Sequence, residues 1–155
     1  MLDKNSWSLA GMIRIVLTVM LFVSVPFSMQ AHEGASGIVK QRMDRFKASR
    51  KQLKAIVTSA KENNFIEIEK QADLLVQWAA EMVTYFPEGS DGGVSEAAPS
   101  IWTDFEGFKV KAADFSERSE QLLDAARQAS LPAVMKSVEQ LGQSCKSCHQ
   151  TFRLK

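Results

Sequence analysis

The stretch SLPAVMKSVEQLGQSCKSCHQTF, residues 130–152, carries both the fold signal and the chemistry of this chain. Val134, Val138, Leu141, Cys145, Cys148 and Phe152 recur in steps of three and four, the spacing that lines side chains along one face of an α-helix. Ser130 and Pro132 mark the start, because a serine hydroxyl caps free amides and proline is tolerated in the first turn, where its missing amide has no partner to lose. Both sulfurs therefore fall in register with the core-facing positions of a helix.

The same period extends upstream. From residue 36, Val39, Met43, Phe46, Leu53, Val57 and Ala60 form a stripe with Arg50 as its one charged interruption, ended by Asn63 and Asn64. Phe65, Ile68, Ala72, Leu75, Ala79, Met82 and Phe86 make a seam that packs knobs into holes, stopped by Pro87. Residues 87–99, PEGSDGGVSEAAP, hold three glycines and two prolines and read as the one long loop. After Ser100 the stripe resumes with Phe105, Phe108, Ala112, Phe115, Ser119, Leu122 and Ala126. Four amphipathic helices with no alternating strand pattern predict an all-α, antiparallel up-and-down four-helix bundle, whose sites are built between facing helices.

Length and composition agree. The chain has 155 residues, 45% hydrophobic and 24% charged, which suits one packed domain. Residues 1–31 read as a secretory signal: Lys4 and Arg14 lead into the apolar run IVLTVMLFVSVPF at 15–27, and Ala31 supplies a small residue before the cut, with Ser28 as a second cleavage point. That run is short of the roughly 20 residues a spanning helix needs, and Pro26 would disturb such a helix. The working domain is then 32–155, delivered to the periplasm, with no membrane partner once the signal is removed. Taking Lys4, Arg14 and Asp3 away leaves 17 basic and 17 acidic residues, a balance that does not suggest nucleic acid.

Charge is unevenly spread. Residues 36–62 carry eight basic side chains against Asp44 and Glu62, whereas residues 65–86 carry Glu67, Glu69, Asp73 and Glu81 against Lys70. Much of this is helix solvation and neighbour complementarity, but a basic face also steers an acidic redox partner protein.

Cys145-Lys146-Ser147-Cys148-His149 matches the C-x-x-C-H pattern for covalent attachment of haem c, one per chain. The thiols add to the porphyrin vinyl groups, and the adjacent imidazole is tethered close enough to bind the iron from one side. Three other readings are weaker. Structural zinc wants four ligands, and the only other histidine is His32. A redox dithiol belongs at the start of a helix, where the dipole favours a thiolate, whereas this motif lies near a helix C-terminus. A disulfide between positions three apart on a regular helix requires distortion. For the sixth iron position the methionines of the working domain are Met43, Met82 and Met135, with Met43 first among them.

VKQRMDRF at 39–46, FPEGSDGG at 86–93, PSIWTDFEGF at 99–108 and SCKSCHQTFR at 144–153 together resemble the cytochrome c′ family. The resemblance implies that His149 is the axial iron ligand and that Cys145 and Cys148 are the attachment sites. It implies that Arg42 lies near a haem propionate, that Arg153 stands beside the proximal histidine, and that Phe46 covers the open iron face. Low-spin relatives place a methionine ligand at the point of Phe46, and Met43 stands where glutamine is frequent. The implied function is a periplasmic, high-spin, five-coordinate haem c protein that binds nitric oxide or carbon monoxide and exchanges single electrons. The alternatives are a low-spin methionine-ligated electron carrier, or a peroxidase-like or nitric-oxide-consuming enzyme, the last opposed by the lack of a distal histidine. A homodimer through the first helix is also implied, and the like charge on that helix bears directly on such an interface.

Overall fold

A computed structural model describes residues 35–154; the signal read at 1–31 and His32 lie outside them. Among the described residues four long helices run in sequence: α1, Gly37–Lys61; α2, Phe65–Glu81; α3, Phe105–Arg127; and α4, Leu131–Phe152. A tight 3-10 turn, Met82–Tyr85, ends α2, and a single helical turn, Ser100–Thr103, precedes α3. The connections α1–α2 and α3–α4 are only a few residues long, so each pair is antiparallel. No helix among the described residues is long and apolar enough to cross a membrane.

The joints follow local chemistry. Asn63 takes a left-handed backbone, φ 51°, which asparagine tolerates. Asn64 then caps α2 by accepting from the Glu67 amide at 3.2 Å. Asp104 caps α3 through the Gly107 amide at 3.0 Å, and a Cβ on Gly107 would push that carboxylate out of its capping position. Ala129 between α3 and α4 is also left-handed, φ 49°, with a Cβ that opposes it. The expected Ser130 cap is different in detail: its hydroxyl makes no capping bond. Its carbonyl accepts from Val134 at 2.9 Å, and Pro132 removes one of the amides a cap would serve.

The core is built from Ile56, Ile68, Leu75, Trp78, Phe108, Leu122, Val134 and Leu141, all almost wholly buried. Burial of each large apolar side chain contributes roughly 1.5–3 kcal/mol. Small Ala60, Ala72 and Ala126 let the helices approach. Helix α3 packs along both α2 and α4, α1 lies against α2, and α1 and α4 touch only sparingly.

That divergence explains where the α1 stripe departs from expectation. Toward the end of the helix Ile56, Ser59 and Ala60 are buried in the bundle. Nearer its start Arg42 is buried and Phe46 half-buried, while Met43 is 39% exposed. The helical period holds, but the core position is Ile56, one residue before the expected Val57, which is only half-buried, and the first half of the helix faces a cleft instead of a neighbour.

Candidate functional site

Between α1 and α4 lies a cavity of about 330 Å³. Arg42, Met43, Phe46, Cys145, Cys148, His149 and Arg153, the residues to which the family resemblance drew attention, line it together. Its remaining walls are largely apolar, with Leu53, Leu75, Met82, Phe86, Phe115 and Leu141 supplied by all four helices and the turn after α2. Charge is confined to Arg42, Arg50, Lys111 and Arg153 against the single carboxylate of Glu96.

The two cysteines are free thiols one turn apart on α4, half-buried against the core. Burial pushes the Cys145 thiol up, and burial together with Cys145 pushes Cys148 up to about 11, Lys111 opposing. A redox dithiol works through a depressed thiol, so this direction argues against that alternative. Lys111 reaches across from α3 and donates to Ser147 at 2.6 Å, fixing the middle of the motif to its neighbour. Burial, then Arg153 and Arg50, pull His149 below its ordinary value, with Glu96 opposing. The imidazole is thereby kept in the neutral form that ligates metals.

Arg42 is 2% exposed and so is not a solvated helix charge. Its guanidinium donates to Ser90 Oγ at 2.8 Å, to Ser95 Oγ at 2.6 Å, to the Ser90 carbonyl, and more weakly to the Tyr85 carbonyl at 3.4 Å. It also lies 4.8 Å from the Phe86 ring and 5.8 Å from Trp102. Among the described residues no carboxylate forms an ion pair with it, so α1 brings a buried, unneutralised cation to the cavity wall. Burial pushes its pKa down, Asp91 opposing.

Arg153 is held differently. It donates to Glu96 through Nε at 2.8 Å and through a second nitrogen. The segment around Glu96 is tied to the end of α4 by Ala98 N to Phe152 O at 3.0 Å and Leu154 N to Glu96 O at 2.8 Å. The long loop is thus fastened at one end by Arg42 and at the other by the chain beyond His149.

On the α1 wall, Phe46 sits edge-on to Trp78 at 5.3 Å and near Phe86 at 6.4 Å, a packed position for its ring. Ser49 lines the cavity beside it, but its hydroxyl donates to the Arg45 carbonyl at 3.0 Å. Met43 and Met82 line the cavity, whereas Met135 does not. The donor set fits haem c: paired cysteines and a neutral imidazole on one wall, an apolar interior, and cations suited to two propionates.

Sequence reasoning missed Ser90, Ser95, Glu96 and Lys111. Ser95 and Glu96 lie in a loop with no period, and Lys111 falls off the apolar stripe of its helix with nothing in the pattern to single it out. Trp78 was also missed, although it falls three residues beyond Leu75 on the α2 stripe.

The cytochrome c′ family model matches residues 37–153. The chain is 33% identical over 119 residues to cytochrome c′ from Rhodospirillum rubrum, covering 74% of this chain and 80% of that protein. It is 46% identical over 74 residues to cytochrome c-556 from Agrobacterium tumefaciens (strain II Chrys), where the match takes in 45% of this chain and only 56% of the relative. Among solved structures, cytochrome c′ from Thermochromatium tepidum superposes with a TM-score of 0.72 at 22% identity, covering 76% of this chain and 95% of that one. A nitric oxide complex of a cytochrome c prime variant from Alcaligenes xylosoxidans gives a TM-score of 0.69 at 26% identity, covering 76% and 94%.

Proposed function

Because the chain belongs to the cytochrome c′ family, we propose that it is an exported, periplasmic protein with a five-coordinate, high-spin haem that takes up nitric oxide or carbon monoxide and exchanges single electrons. Members of this family carry covalently bound haem c, and Cys145 and Cys148 fit its attachment site. When bound, the haem supplies an iron able to hold one diatomic ligand and to change charge by one electron.

The rest is the work of the chain. Cys145 and Cys148 would anchor the group to α4, and His149 would offer a neutral nitrogen to the metal from the same helix. Arg42 would supply positive charge to a propionate from inside the wall, and Arg153, steadied by Glu96, stands one turn beyond the histidine. The carrying observation is the α1 wall, where Phe46 presents hydrocarbon and the nearby Ser49 hydroxyl is spent on its own helix. The Phe46 hydrocarbon offers no hydrogen bond to stabilise polar bound dioxygen, whereas nitric oxide and carbon monoxide depend on such help less. The Alcaligenes relative solved with nitric oxide supports this choice of ligand. A peroxidase-like or nitric-oxide-consuming reaction requires an acid or base above the ligand, and Phe46 and Met43 are neither.

Met43 carries the second reading, a low-spin electron carrier, because it lines the cavity and is free enough to move at 39% exposure. Spectra of the ferrous protein with and without carbon monoxide separate the two. A five-coordinate spectrum that shifts on carbon monoxide supports the first; a sulfur-to-iron band in the ferric form and no uptake supports the second. Phe46→Ala is expected to raise ligand association about tenfold, equivalent to about 1.4 kcal/mol of barrier. Phe46→Met is expected to give a low-spin, six-coordinate spectrum, and unchanged rates and spectra in both variants would refute the assignment of Phe46 to the open face.

A further inference from the structure

The outer face of α1 carries a charge pattern that the cavity does not use. Lys47, Lys51, Lys54 and Lys61 recur in steps of four, three and seven, so they stand on one face of the helix, and all are exposed. Among the described residues none of them has a carboxylate within ion-pair distance, whereas Lys40 is joined to Asp44 and Arg45 to Glu81. Like charges one turn apart repel, so folding alone does not call for this row. The row borders the site: exposed Arg50 lines the cavity between Lys47 and Lys51 in sequence, with Ser49 and Leu53 beside it.

We propose that the lysine face of α1 docks an acidic redox protein, one whose contact surface is built of aspartate and glutamate. This deepens the haem reading and rests on it, because the face adjoins the cavity from which an electron would leave. A second copy of the chain is a poorer occupant. The acids of α2 are already engaged, Glu69 with Arg127, Glu81 with Arg45, Glu67 with Lys70, and Asp73 accepting from Gln77. An anionic membrane is also poorer, since such helices set an apolar face into the lipid, and among the large hydrophobic residues of α1 only Met43 is exposed.

The working chain holds 17 basic and 17 acidic residues, so its overall charge predicts little salt dependence and any that is measured reports local charge. The holoprotein is mixed with a fluorescent oligoglutamate peptide and followed by anisotropy. Binding is expected at low ionic strength, about tenfold weaker at about 150 mM, and lost in the Lys47→Glu, Lys51→Glu, Lys54→Glu triple variant. Lys70→Glu, Lys109→Glu, Lys136→Glu changes the net charge equally on other helices and is expected to keep binding. The Lys→Gln form of the α1 triple gives the same direction should charge reversal disturb the helix. Oxidation of the ferrous protein by hexacyanoferrate(III) is expected to slow with added salt in the wild type and the control, and not in the α1 triple. Equal loss in both triples, or adhesion to phosphatidylglycerol vesicles without peptide binding, would overturn the proposal. A colourless protein would remove the haem reading, and the anisotropy result would still decide the surface.

Discussion

Arg42 shows how a single side chain joins fold to site. A guanidinium taken out of water without a carboxylate is costly unless its donors are met, and here Ser90 and Ser95 meet them from the loop while Phe86 and Trp102 flank the plane. Arg42→Ala is expected to lower stability by about 2–4 kcal/mol, read as a reduced urea midpoint, and Arg42→Lys is expected to recover little, because an ammonium lacks the fork that spans two serines. Sequence showed Arg42 three residues after Val39 and four before Phe46, hence on the apolar face. Its burial was not legible, because its partners lie 48 and 53 residues away in a segment with no periodic signal. Cys145, Cys148 and His149 were legible because their chemistry is set by spacing within one helical turn.

The helices themselves were readable wherever two of them touch. Most buried α2, α3 and α4 positions fall on the expected stripes, since helix packing demands a continuous apolar seam, while Trp78, Leu123, Ala125, Ser137 and Ser144 are buried beside them. The start of α1 was readable as helix but not as a wall, because period alone does not say what a face meets. Capping adds a local contribution that can be measured apart from the site. Asp104 both ends the short turn at Ser100–Thr103 and caps α3. Asp104→Ala is therefore expected to cost about 1 kcal/mol in thermal or urea unfolding, with the spectrum of the bound group unchanged. The Arg153–Glu96 pair is mostly in water, its side chains 43% and 64% exposed, and contributes less than about 1 kcal/mol; backbone bonds hold that end of the loop.

Among the described residues the bundle is a wedge, closed where α3 packs on α2 and on α4 and parted between α1 and α4. Hydrogen exchange is expected to follow that shape. Amides of α2 and α3 around Leu75 and Leu122 should be the last to exchange, and those in the first half of α1 the first among the long helices. Equal protection of all four would count against the wedge. The α3–α4 joint offers something else. Ala129 is exposed yet left-handed, so its methyl opposes the backbone and packs against nothing of value. Ala129→Gly is expected to add about 1 kcal/mol, a gain of several degrees in the melting curve. An engineer seeking heat tolerance could therefore obtain it at a corner remote from the porphyrin, leaving colour, ligand choice and redox behaviour as they were.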